Sequence, residues 1–104
     1  MTIQLNTDHN ITGSEKFKSV LEGQITDELS RFSEHITRVE VHLADENGNK
    51  GGLDDKRCTI AAGIEGKPTI AATNHANTYE LAVSGAVHKL KSSLDKVLGR
   101  LKDH

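Results

Sequence analysis

Apolar residues recur three and four apart along the last quarter of the chain, at Val83, Ala86, Val87, Leu90, Leu94, Val97, Leu98 and Leu101. That is the spacing of one face of an α-helix, and it predicts a helix over 83–101. Beside this stripe lie Lys89, Lys96 and Arg100, at offsets of seven and eleven. At about 100° per residue these three project along nearly one line. Lys91 and Lys102 fall on the opposite flank. An element with an apolar seam and a cationic rail can complete a core and meet an anion at once.

Upstream, the polar–apolar pattern changes period twice. Thr2 to Asn6 alternates, with Ile3 and Leu5 pointing one way, and predicts a short strand. Thr12 stands three residues before Glu15, the spacing of a capping box that would start a helix from about Gly13 to Phe32. Its stripe is Phe17, Val20, Leu21, Ile25, Leu29 and Phe32. Ile36 to Ala44 alternates cleanly, with Val39, Val41 and Leu43 on one side and Arg38, Glu40 and His42 on the other. Residues 46–52 carry three glycines and form a polar connection. A strand from about Lys56 to Glu65 turns Cys58, Ile60, Ala62 and Ile64 inward. Gly66-Lys67 is a turn, and Pro68 opens a last strand in which Ile70 and Ala72 continue the inward set. Asn74 to Asn77 then reads as a loop.

The predicted fold is α+β: a four-stranded mixed sheet in the order β-α-β-β-β-α. Each strand alternates, so each has one covered and one wet face. Two helices with one stripe each would pack on the same face. The first strand–helix–strand unit implies a parallel pair through a right-handed crossover, and the later strands, joined by short connections, should be antiparallel.

At 104 residues, one domain over 1–104 is expected. The net charge of −2 argues against a polyanion partner, but its distribution does not. Residues 1–55 hold 11 acids and 5 bases, a net −6; residues 56–104 hold 4 acids and 8 bases, a net +4. A bipolar chain can present a basic surface while its total is acidic. Arg38, on the open sheet face, and Lys56 and Arg57, at a strand start, extend the cationic set. With only Phe17, Phe32 and Tyr79 for stacking, recognition of structured RNA by shape and phosphate suits the chain better than single-strand stacking.

Other chemistry is thin. The six histidines are scattered, with none paired at ligand spacing, so no metal site is expected. Cys58 belongs to an inward set and reads as a small core residue rather than a nucleophile. The Gly63-x-x-Gly66-Lys67-Pro68 stretch is too short for a phosphate loop. Asp45-Glu46 and Asp54-Asp55 read as solvated turn acids. No catalytic residue, cofactor or small-molecule substrate is expected. No apolar run approaches the roughly 20 residues of a membrane span, no signal peptide is evident, and the cytoplasm is the expected compartment.

The chain resembles the ribosome hibernation-promoting factor family, also called ribosome-associated inhibitor or sigma-54 modulation proteins. The resemblance rests on Arg57-Cys58-Thr59-Ile60 through Ile64-Glu65-Gly66-Lys67-Pro68-Thr69-Ile70-Ala71-Ala72, on Ala82-Val83-x-x-Ala86-Val87-x-Lys89-Leu90-x-x-x-Leu94, and on the strand Ile36 to Leu43. Thr78-Tyr79-Glu80 stands where the family usually carries Asp-x-Tyr. The resemblance implies a strand–helix–three strands–helix fold. It also implies binding to the small ribosomal subunit and its 16S rRNA, in the channel for mRNA and tRNA, which silences translation under stress or in stationary phase. Lys89 stands at the family's Lys before Leu, with Lys96 and Arg100 continuing its flank. The long members' C-terminal dimerisation domain has no counterpart before His104, so a monomer off the ribosome is expected. The alternatives are a protein-interaction adaptor of the same fold and, on Cys58 or the histidines alone, a small enzyme.

Overall fold

The computed structural model describes residues 1–7, 15–45 and 55–102, with side chains up to Gly99. The elements are β1 (Thr2–Thr7), α1 (Glu15–Leu29), a 3-10 turn (Ser30–Phe32), β2 (Ile36–Asp45), β3 (Lys56–Ile64), β4 (Lys67–Ala76) and α2 (Tyr79–Lys102). Strands lie side by side in chain order, β1-β2-β3-β4. β1 runs parallel to β2, and the β2–β3 and β3–β4 pairs are antiparallel. This is the mixed sheet expected from the strand–helix–strand crossover and the short later connections.

Alternation fixes which face is covered. Val39, Val41 and Leu43 of β2 and Cys58, Ile60, Ala62 and Ile64 of β3 are all buried. They form one cluster with Leu21, Ile25 and Leu29 of α1 and with Val83, Ala86, Val87, Leu90, Leu94 and Leu98 of α2. Both helices therefore cover one face, and the other stays open. Large-to-small changes at such positions cost about 2–5 kcal/mol.

Four local readings change. Val20 is 55% exposed, so the α1 stripe is narrower than its sequence suggests. α1 ends at Leu29, and Phe32 reaches the core from the 3-10 turn. The segment read as a loop from Asn74 is strand as far as Ala76, because Asn74 and Ala76 continue the inward alternation of Ile70 and Ala72 beneath α2. Helix α2 begins earlier than its apolar stripe, at Tyr79, where the Leu81 N–H donates to Thr78 Oγ1 (3.1 Å) and the Ala82 N–H to the Thr78 carbonyl (3.0 Å). Thr78 is thus an N-cap. The expected capping box at Thr12 and the helix start at Gly13 lie outside the described residues.

Glu65 and Gly66 connect β3 to β4, with Gly66 at φ +75, in the left-handed region that glycine enters at little cost. Pro68 sits near the start of edge strand β4, where a missing N–H is tolerated.

Candidate nucleic-acid interface

Packing of α2 decides where its cations go. The Lys89 Nζ donates to the carbonyl of Thr73 on β4 at 3.0 Å. The Lys91 Nζ instead pairs with Glu28 of α1, also at 3.0 Å. The two lysines therefore mark opposite flanks, one over the sheet edge and one over the seam with α1.

The seam is electrically closed. One turn beyond Lys91, Asp95 receives both oxygens' worth of bonding from Arg31, with Nη2 3.0 Å from Oδ1 and from Oδ2. Arg31 also lies over the Phe32 ring, its Cζ 4.5 Å from the centroid. Glu28–Lys91 and Arg31–Asp95 thus alternate in sign where α1 and the 3-10 turn after it meet α2, and they sum to zero. The Arg31–Asp95 pair is exposed and the Lys91–Glu28 pair partly so, and each contributes at most about 1 kcal/mol. Arg31 was not among the sequence-predicted residues, and nothing in the local pattern marks it.

The sheet-edge flank is different. Lys89 gives its hydrogen bond to a carbonyl, which carries no formal charge, and no acid among the described residues compensates its positive charge. Lys96, in line with it at an offset of seven, is exposed and has no acidic partner among the described residues. Arg100 continues that line in the sequence, and Lys102 the other; their side chains lie outside the described residues.

The remaining predicted cations are not brought to this flank. Arg38 stands on the open sheet face, where it pairs with Glu40 and reaches Gln4 Oε1 at 3.4 Å. Arg57 is half-buried at the far end of that face, opposite His75. Lys56 turns to the helix side and is held between Asp45 and Asp55, each at 3.2 Å, with its Nζ 5.7 Å from the Tyr79 ring centroid. The bonds to Asp55 and Asp45 hold its pKa above the usual lysine value, and desolvation opposes them. Asp55 is only 4% exposed. The reading of Asp45 and Asp55 as solvated turn acids is therefore corrected: a buried carboxylate needs a cation, and Lys56 supplies it.

Cys58 is fully buried, and desolvation pushes its thiol up to about 12. A nucleophile needs the opposite shift. Among the described residues no three His, Cys, Asp or Glu side chains gather at a metal-binding distance. His42, His75 and His88 are surface residues. No described helix is long and apolar enough to cross a membrane.

The family model for the sigma 54 modulation protein / S30EA ribosomal protein matches residues 5–102. A ribosomal subunit interface protein from Coxiella burnetii is similar in structure, with a TM-score of 0.74 at 20% identity, covering 95% of this chain and 99% of that one. The Thermus thermophilus Protein Y N-terminal domain aligns with a TM-score of 0.73 at 16% identity, covering 93% and 99% respectively. At such identities the structural likeness establishes the fold. No curated protein matches the sequence.

Proposed function

Since the chain belongs to the sigma 54 modulation protein / S30EA ribosomal protein family, a family of ribosome-associated factors, we propose that it silences translation by occupying the mRNA and tRNA channel of the small ribosomal subunit. The mechanism is steric. Cations fix the protein's position on rRNA phosphates, and its bulk excludes other ligands of the channel. No bond is made or broken.

The observation that carries this reading is the uncompensated sheet-edge flank of α2. Lys89 and Lys96 stand in line there, while the charges of the opposite flank cancel. Phosphate binding needs positive charge within reach of a backbone and little else. The scarcity of aromatic side chains favours structured RNA, recognised by shape. Arg100 extends the flank in this reading. Arg38, Lys56, Arg57, Lys91 and Lys102 are secondary, since the four of them whose side chains are described are half-buried or already engaged with acids.

Sedimentation with ribosomes tests the proposal. The protein should travel with the small subunit at low salt and dissociate steeply as salt rises. The combined change Lys89→Glu, Lys96→Glu and Arg100→Glu should abolish co-sedimentation and leave the fold intact, because none of the three belongs to the apolar stripe. Wild-type protein that stays at the top of a low-salt gradient refutes the reading. Recovery of a defined protein partner without rRNA would instead favour the adaptor.

A further inference from the structure

The two edges of the sheet are built differently. β4 is guarded by several devices. Pro68 offers no N–H, Lys67 places a charge at the strand start, the register slips between Ala62 and Ile64, and Lys89 Nζ covers the Thr73 carbonyl. These are the means by which sheet edges refuse another strand.

β1 has none of them. Thr2–Thr7 contains no charge, proline or glycine, and its register with β2 runs without a break from Thr2↔Arg38 to Thr7↔Leu43. In a parallel pair, alternate residues direct their N–H and C=O groups to the neighbour and the rest turn outward. Among the described residues no backbone group outside β2 bonds to this strand. Ile3 and Leu5 pack on the core yet remain only half-buried, and among the described residues no strand lies beyond them.

We propose that β1 is a self-association edge, on which a second copy of this chain adds its own β1 antiparallel, about a two-fold axis through Gln4. In that register Ile3 meets Leu5 of the second copy on the helix side, and Leu5 meets Ile3. Thr2 meets Asn6 of the second copy on the open side, and the two Gln4 side chains face one another. A slip of one residue sets Ile3 against Asn6 and breaks the match of faces. The alternation of β1 matches itself about this axis, apolar on apolar and polar on polar, and the strand carries no charge to repel its own copy, which favours a second copy as occupant. The isologous contact closes at two copies because the other edge is guarded. The product is an eight-stranded sheet with all four helices on one face, in place of the monomer expected from sequence. An interface of one strand pair is small, so the dimer belongs to the weak, concentration-dependent class.

Sedimentation equilibrium of the full chain from micromolar to millimolar concentration provides the test. The average mass should rise from 11.3 kDa toward twice that value. Gln4 is exposed, so it can be charged without touching the core. Gln4→Glu and Gln4→Lys should each remain monomeric, with circular dichroism melts confirming the fold. An equimolar mixture of the two should regain the dimer, because opposite charges then face each other across the axis. Gln4→Cys should form an intermolecular disulfide under mild oxidation of the native protein. A wild-type mass that stays monomeric at millimolar concentration overturns the proposal. So do charged variants that dimerise as wild type does, or a mixture that does not recover.

Discussion

The side chain of Asn74 occupies the space that any side chain at Gly85 would need. A Cβ at Gly85 would lie 2.5 Å from Asn74 Cγ and 2.9 Å from its Oδ1. Through that gap the Asn74 Nδ2 donates to the carbonyls of Leu81 and Ala82, each at 3.4 Å. A polar residue in the inward set of β4 thereby finds acceptors in the first turns of α2, and the strand continues where its composition suggests a loop.

This relationship predicts a coupled pair. Gly85→Ala alone gains up to about 1 kcal/mol of helix propensity, but it displaces Asn74 from both acceptors and strains the strand–helix contact. A net loss of about 1–2 kcal/mol is expected. With Asn74→Ala in the background, the same Gly85→Ala change should become neutral or stabilising. Urea denaturation of the four-member cycle measures the coupling, and additive effects would contradict the contact.

Lys96 and Lys89 should separate electrostatics from structure. Lys96→Ala should lower the slope of log affinity for ribosomes against log salt by about 0.7–0.9, the loss of one phosphate contact, and leave the melting temperature unchanged. Lys89→Ala should lower the slope equally and also cost about 0.5 kcal/mol of stability, because its bond to the Thr73 carbonyl goes with it. Salt titrations of ribosome binding, paired with thermal melts, distinguish the two.

The charges cancelled along the α1–α2 seam can be released. Glu28→Gln and Asp95→Asn free Lys91 and Arg31 without changing size. Each should alter stability by less than about 1 kcal/mol, as exposed pairs do. Both should tighten ribosome binding at low salt if this surface meets phosphate. Unchanged affinity in the double variant would place the seam away from the RNA.

Cys58 should be silent to thiol reagents in the native protein at neutral pH and react only on unfolding. Its pH effect has a definite sign. The thiol ionises near 9 when exposed and near about 12 when buried, so above pH 9 the unfolded state binds fewer protons and stability falls as pH rises. The contribution is intact below pH 9 and declines through the window up to about 12, by at most roughly 1.4 kcal/mol per pH unit. Comparing the alkaline urea midpoints of wild type and Cys58→Ala isolates it, since the variant lacks this decline.

The sequence alone determined the order of the elements and the buried face of most of them. Period-two alternation in Ile36–Ala44 and in the strand beginning at Lys56, and period 3.6 from Val83 onward, are local properties. Burial follows from them because apolar side chains leave water on whichever face the period collects them. Element order then left one economical arrangement, two striped helices on one side of a mixed sheet. The cationic set was legible only as a list. Tertiary structure decided which of its members keep their charge, because side chains far apart in sequence meet only after the helices pack: Glu28 with Lys91, Arg31 with Asp95, Asp45 and Asp55 with Lys56. A helical wheel places Lys89 and Lys91 on different flanks. It does not say that one flank faces a neutral carbonyl and the other a carboxylate, and Coulomb interactions depend on that distance in space rather than on spacing along the chain. The same holds for Asn74, whose polar side chain is admitted beneath α2 only because Gly85, eleven residues later, leaves room for it.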